Sequence, residues 1–445
     1  MDQKKQERRQ TLLIASLIFG MFFGAGNLIF PIHLGQMAGD HWLLAAIGFI
    51  LSGTLVPYLA MLAISSTNSD GLYDIARPVS HWFALFIVAA FHLVIGPFFA
   101  TPRLPATAFA TGVAPLLPVK YQSLGMLIYS AIFFGVAYLL TIKKADITAW
   151  VGKYLNPIFL FGLAALLIAS FVLPMGNLQH TPLPAYQVGG IFQGFMEGYN
   201  TMDGLALLSF GITIVYALRG LGIKPQLISK KLAQAGALSI IAEAVIYFAL
   251  ILMGTMSLGL FKISDNGGIA LAQIINHYAG RFGVIFTAVL ITLAVLTTAM
   301  GLFQSFAQDM EVAFPKIAYR YWLAFIAIAS FVVANFGLTN IIAWAVPVLM
   351  LLYPYALVLI LLSLTKRWFN GAPIVYRWTI TLVTLPALAD MIAALPIVSS
   401  VASLTQFADW YHDTIPLSAL GFGWLLPAIV GAGIGYGLYL LSLKH

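Results

Sequence analysis

Gly20-Met21-Phe22-Phe23-Gly24-Ala25-Gly26-Asn27-Leu28-Ile29-Phe30-Pro31 sits in the middle of a run, residues 11–39, that holds no Asp, Glu, Lys or Arg. A helix of roughly 20 residues crosses a bilayer core, so the run is long enough to span one. Three glycines and an asparagine nevertheless fall where an apolar helix should be most regular. Each glycine costs a helix about 1 kcal/mol relative to alanine. In hydrocarbon, unwound backbone is tolerated only where it faces protein or a water-filled cavity. The stretch predicts a membrane helix interrupted part-way along. Residues 1–10 are polar and basic and could pass for a secretory leader cleaved near Gly24-Ala25-Gly26. The apolar run continues to Met37, too long for the core of such a leader, and reads as a first span.

The rest of the chain has the same character. Of 445 residues, 61% are hydrophobic and 8% charged, against roughly 45–50% and 25% in soluble domains. So little charge cannot cover a water-facing surface, which leaves lipid as the solvent. Uncharged runs recur at 41–69, 78–102, 121–142, 282–308, 321–365 and 414–443. They are continuously apolar and so favour helices; barrel strands would alternate over about 10 residues. The pattern predicts an all-α polytopic protein with twelve spans, at 11–37, 42–64, 80–104, 121–142, 149–173, 190–218, 234–261, 280–307, 321–337, 340–364, 374–396 and 420–442. With the N-terminus inside, 18 of the 22 Lys and Arg residues fall on inner loops. Only Arg103, Lys120, Lys262 and Arg281 are assigned outside. This bias follows the positive-inside rule and puts both termini in the cytoplasm. Because the basic residues are scattered over loops, the net charge of +7 gives no stripe for nucleic acid. The absence of cysteine excludes disulfides and thiolate metal sites.

A second interruption falls in the sixth span, at Gly194-Phe195-Met196-Glu197-Gly198-Tyr199-Asn200-Thr201-Met202-Asp203-Gly204. Broken helices in corresponding positions of two halves point to a transporter binding site. The physical reason is that a break frees amides at one new helix end and carbonyls at the other. The first end attracts an anion and the second a cation. A zwitterionic amino acid together with a metal cation needs such a pair of poles. The glycines could instead serve close helix packing, and Gly20 to Gly24 has that spacing. Packing does not explain Asn27, Asn200 and Asp203. In the eighth span, Ala294, Thr297 and Thr298 share one helical face. Their oxygens suit an alkali cation, although membrane threonines also bond back to their own helix.

Phe23-Gly24-Ala25-Gly26-Asn27-Leu28-Ile29-Phe30-Pro31 resembles the signature of the branched-chain amino acid:cation symporter family, and Glu197-Gly198-Tyr199-Asn200-Thr201-Met202-Asp203 resembles its sixth-helix motif. The likeness extends over essentially the whole chain. That family is similar to the amino acid-polyamine-organocation superfamily with the leucine-transporter fold. The resemblance implies a 5+5 inverted repeat, residues 11–173 and 190–364, after a tail at 1–10. Two extra helices follow at 374–442. It implies sodium held by the carbonyls of Gly20, Phe23 and Ala294 and the hydroxyls of Thr297 and Thr298. It also implies a substrate carboxylate on the amides of Ala25, Gly26 and Asn27, within a site that includes Gly24. The ammonium would face carbonyls around Phe22 and Phe23 and around Gly198, Tyr199 and Asn200, with Thr201 and Asp203 beside them.

Intramembrane acids are functional candidates. Asp203 could contact ligand directly, Glu197 could cap the freed helix end, and Glu243 could pair with a neighbouring helix. Asp390 is expected at the lipid or oligomer edge. Lys153 reads as snorkelling to the interface, or as an amine replacing sodium, as in some proton-coupled relatives. His92 reads as a core histidine or a pocket residue, and Phe91, Leu93 and Val94 as apolar pocket lining. Pro97, Pro157 and Pro347 read as kinks. Segments 105–120 and 262–279 are expected as outer loops covering a vestibule. No Walker loop, His-Glu-x-x-His or Gly-x-Ser-x-Gly is present, which argues against an ATP-driven pump or a membrane hydrolase. The combined expectation is a non-enzymatic, sodium-coupled importer of Leu, Ile and Val in the bacterial inner membrane, with no obligate protein partner. A proton-coupled carrier or an uncoupled facilitator is the alternative.

Overall fold

A computed structural model describes residues 8, 10–12, 14–16, 18–20, 23–24, 26–67, 71–142, 147–209, 218, 223 and 225–443. Every regular element among the described residues is a helix. Among them, in chain order, are α1 Gly26–Ala38, α2 Trp42–Ile50, α3 Val56–Thr67, α4 Leu72–Ala76, α5 His81–Leu93, α6 Ala100–Ala108, α7 Val119–Ile142, α8 Ile147–Val172, α9 Pro184–Tyr199, α10 Pro225–Ser257, α11 Gly267–Ala313, α12 Tyr319–Ala334, α13 Leu338–Thr365, α14 Pro373–Ala393, α15 Ala402–Thr414 and α16 Leu425–Ser442. Among the described residues, seven helical stretches are long and apolar enough to cross a membrane, Gly26–Ser65, Val119–Ile142 and Leu338–Trp368 among them. Gln10–Gly20, Leu160–Val172 and Tyr319–Ala334 add shorter apolar helices.

Several boundaries differ from the expected ones, each for a local reason. The expected loop 105–120 is mostly helical: α6 runs into a wide π-turn, Phe109–Val113, and a 3₁₀ turn, Ala114–Leu116. The expected loop 262–279 is helical from Gly267, because the Asn266 side chain accepts from the amides of Gly268 and Ile269 and caps α11. That element holds the expected eighth span, preceded by a separate segment, since Gly280 breaks the helical geometry with φ 58°. The expected linker after the eleventh span contains α15. Of the three expected kinks, the first is observed: Gly96, before Pro97, has ψ −111°. Helical geometry runs through Pro157 and Pro347.

Buried apolar side chains form two clusters. One joins Ile14 and Ile18, α3, α5, Tyr199 to Leu208, α13, α14 and α16. The other joins α1, α2, α7, Tyr247 to Met253, α11 and α12. Close backbone approaches tie pairs of helices together. Gly35 of α1 abuts Ile251 and Thr255 of α10, and Gly254 of α10 abuts Ile32. Likewise Gly48 of α2 abuts Ile191 and Phe195 of α9, and Gly194 and Gly198 of α9 abut Ala45 and Ser52.

Candidate functional site

Two places where helical geometry lapses build the site. Residues 18–20 are helical, and the Phe23 amide still bonds the Phe19 carbonyl at 2.8 Å. Phe23 and Gly24 are not helical, and α1 begins at Gly26. The thirteen residues of α1 rise about 20 Å, well short of a bilayer core of ~30 Å. The Gly24 amide donates to Asn27 Oδ1 at 3.4 Å. In the sixth expected span, α9 ends at Tyr199. Asn200 and Thr201 form a turn, Met202 takes the left-handed φ of 61°, and helix resumes at Asp203. Such a φ is uncommon outside glycine. The turn is held by the Thr201 hydroxyl, which donates to the Gly198 carbonyl at 2.9 Å and accepts from the Asp203 amide at 3.4 Å.

Asn27 links the two lapses. Its Nδ2 donates to Asp203 Oδ2 at 2.7 Å and to the Tyr247 hydroxyl. Asn27, Asp203 and Tyr247 are only 2%, 6% and 0% exposed. Their chain neighbours Leu28 and Leu205 belong to different apolar clusters, so this polar set lies along the seam between the two. A buried polar group without a partner costs ~1–3 kcal/mol, which makes a bonded set at this depth a specific device.

Further polar groups converge on the same turn. Asn200 Nδ2 donates to Glu197 Oε2 at 3.0 Å, and Arg103 Nη1 donates to the Asn200 carbonyl at 2.7 Å. The Arg103 guanidinium also lies 5.4 Å over the Phe30 ring of α1. Tyr199 stacks on Tyr353 of α13 with centroids 3.9 Å apart. Glu243, buried on α10 one turn before Tyr247, accepts from the Ser239 hydroxyl of its own helix at 3.2 Å.

Gly24, Gly26, Asn27, Gly198, Tyr199, Asn200, Thr201 and Asp203 therefore lie at or beside the two lapses. Phe22 and Ala25 lie outside the described residues. Thr297 and Thr298 donate to the Ala294 carbonyl at 2.8 and 3.3 Å, the back-bonded arrangement. Phe23 packs in the same apolar cluster as Leu296, the residue before that pair, while Gly20 is helical.

Other expectations resolve separately. Arg103, assigned to the outside, is buried in the core. Asp390 is also buried, accepting from the Tyr411 hydroxyl at 2.9 Å; it is held by α15 and does not face an outer edge. His92 is a core histidine that meets the Val88 carbonyl at 2.8 Å and Asp309 Oδ2 at 2.7 Å, joining α5 to α11. Phe91 and Val94 are buried in one apolar cluster and Leu93 packs on the other. The side chain of Lys153 lies outside the described residues. Sequence reasoning missed Arg103, Tyr247 and Tyr353 as site neighbours. The available signal was that Arg103 is the sole charge between Arg77 and Lys120, a pattern that marks an intramembrane ionisable group.

Residues 7–441 match the family model "Branched-chain amino acid transport protein". The chain is 38% identical over 432 residues to the branched-chain amino acid permease BrnQ of Lactobacillus delbrueckii subsp. lactis, covering 96% of each chain. It is 35% identical to BrnQ of Bacillus subtilis, covering 99% of each. Among solved structures it resembles Mhp1, a nucleobase-cation-symport-1 family transporter in a closed conformation with bromovinylhydantoin, at TM-score 0.59 and 14% identity, covering 96% of this chain and 93% of that one. It also resembles MhsT in complex with L-phenylalanine, at TM-score 0.53 and 15% identity, covering 97% of each. At such identities the likeness shows the fold alone, that of leucine-transporter-like carriers.

Proposed function

The chain belongs to the branched-chain amino acid transport protein family, and from that premise we propose that it is a sodium-coupled symporter importing leucine, isoleucine and valine by alternating access. It works in the bacterial cytoplasmic membrane with twelve spans and both termini inside. Spans one and six are the broken pair of two inverted five-helix repeats. The observation that carries this reading is the bond from Asn27 to Asp203 and Tyr247, which joins the two lapses along the seam of the apolar core. Opposed helix ends there offer amides to a carboxylate and carbonyls to a cation. The sodium ion lies against the carbonyls of Gly20, Phe23 and Ala294 and the hydroxyls of Thr297 and Thr298. The membrane potential then contributes about 2.3 kcal/mol per charge per 100 mV.

One observation favours a second reading, proton coupling. Two buried carboxylates, Asp203 and Glu243, flank Tyr247, and both threonine hydroxyls are engaged with their own helix. Uptake of radiolabelled leucine into proteoliposomes separates the two. An imposed sodium gradient drives accumulation on the first reading, and a proton gradient alone drives it on the second. Equal leucine levels with neither gradient would remove coupled transport altogether. Leucine, isoleucine and valine should inhibit one another's uptake, because one methylene changes binding by only ~1–3 kcal/mol. Failure of valine to compete would narrow the substrate class.

A further inference from the structure

We propose that Arg103 is the anchor for the substrate's carboxylate, a role that rests on the transport reading above and names the residue responsible for recognising the anionic end. Arg103 is 6% exposed, yet among the described residues only one of its guanidinium nitrogens has a hydrogen-bond partner. Nη1 is fixed on the Asn200 carbonyl, one of those freed where α9 stops. Nε and Nη2 are buried with no partner among the described residues. No acidic side chain forms an ion pair with it among the described residues. A buried positive charge with idle donors carries a large desolvation cost, which an arriving anion offsets.

The two idle nitrogens are the pair that matters. Nη1 lies on the same side of the guanidinium as Cδ, so the Nε–H and the nearer Nη2–H point the same way. They form the side-on fork that fits both oxygens of a carboxylate. The fork is held in place from three directions. The backbone enters α6 through Pro102, Cζ stands 5.4 Å over the Phe30 ring, and Nη1 is tied to Asn200. Phe30 follows Gly26 by four residues, one turn along α1, so the guanidinium stands over the opening turn of that helix. A carboxylate there meets both the fork and the freed amides. The opposite pole is present too: Asn200 Oδ1 is a buried acceptor with no partner among the described residues, and the Asp203 carboxyl lies three residues on. These oxygens suit an ammonium. The recognised class is therefore a small zwitterion rather than a neutral solute.

The test pairs each protein with leucine and with leucinamide, which keeps the side chain and ammonium but lacks the carboxylate charge. Binding to purified protein in nanodiscs is measured by calorimetry. Wild type should prefer leucine by about 10- to 100-fold, the span expected for a charge-assisted bond. Arg103→Gln should bring that ratio close to one through loss of leucine affinity, with leucinamide affinity unchanged, and Arg103→Lys should restore part of it. Unchanged leucinamide binding reports that the site still folds; if the glutamine variant does not fold, the lysine variant carries the comparison through a reduced ratio. A variant ratio equal to that of wild type, or an equal weakening of both ligands, would overturn the assignment and leave Arg103 as a structural brace of the turn. If wild type binds no leucine at all, the transport reading fails and this inference falls with it.

Discussion

At the scale of single residues, each of the two ends proposed for the ligands makes a separate prediction. Asp203 accepts from Asn27, so Asp203→Asn sets an amide against an amide at nearly constant shape and replaces the carboxyl offered to the ligand. Leucine uptake in proteoliposomes should fall by about 10- to 100-fold, the cost of leaving a buried polar group without its partner, while elution as a single folded species is retained. Wild-type uptake in that variant would take Asp203 out of the site. Thr297→Val combined with Thr298→Ala removes two oxygens whose bonds among the described residues are to Ala294. The sodium concentration needed for half-maximal uptake should rise several-fold, and an unchanged requirement would remove those hydroxyls from the cation site. The site was legible where polar residues interrupt apolar runs, because Asn27, Asn200 and Asp203 have no packing explanation. Arg103 was misplaced by the opposite logic. A charge count assigns an arginine near a span end to the nearest loop, and burial depends on long-range contacts to Phe30 and Asn200 that no local pattern encodes.

At the scale of elements, glycine serves two purposes that the sequence does not separate. In α9, Gly194 carries no Cβ because the backbone of α2 occupies that space, and at Gly198 the Ser52 side chain occupies it. In α10, Gly254 stands to α1 as Gly194 does to α2. Under the proposed repeat, the α1–α10 and α2–α9 contacts are counterparts, since each joins a half of a broken helix to the helix after its partner's break. Gly433 and Gly437 of α16, by contrast, have open space where a Cβ would lie. Gly194→Ala and Gly254→Ala should each lower the midpoint of thermal unfolding in detergent, by overpacking of ~1–3 kcal/mol. Gly437→Ala should leave it unchanged or raise it slightly, alanine being the better helix former by about 1 kcal/mol. Equal effects at all three positions would mean the helices are not held by these close approaches. The same ambiguity explains the misread segments. Residues 262–279 are rich in glycine and short polar side chains, which reads as loop. A cap from Asn266 starts a helix there, and the break is confined to Gly280.

For the whole molecule, the question is whether loops sorted by charge alone sort together in space. Those assigned outside do meet. The Asp40 amide bonds the His180 carbonyl at 2.8 Å, Leu183 bonds Met37 at 2.9 Å, and His33 meets the Ser264 carbonyl at 2.9 Å. Pro115, Gln122, Asn276, Arg281 and Asn335 line a common cavity of about 890 Å³. Those assigned inside also meet, Ser229 with the Ser65 carbonyl and Arg377 with the Val79 carbonyl, each at 3.0 Å. None of these contacts joins a segment of one assigned side to a segment of the other. The assignment of sides is itself testable, because the chain holds no cysteine to confuse labelling. Lys120→Cys and Arg281→Cys, at exposed positions on the proposed outer face, should react with a membrane-impermeant maleimide in intact cells. Arg77→Cys and Arg367→Cys, exposed on the other face, should react only after permeabilisation. The reverse pattern would place both termini outside, and labelling of one residue from each pair in intact cells would break the even count of spans on which the import direction depends.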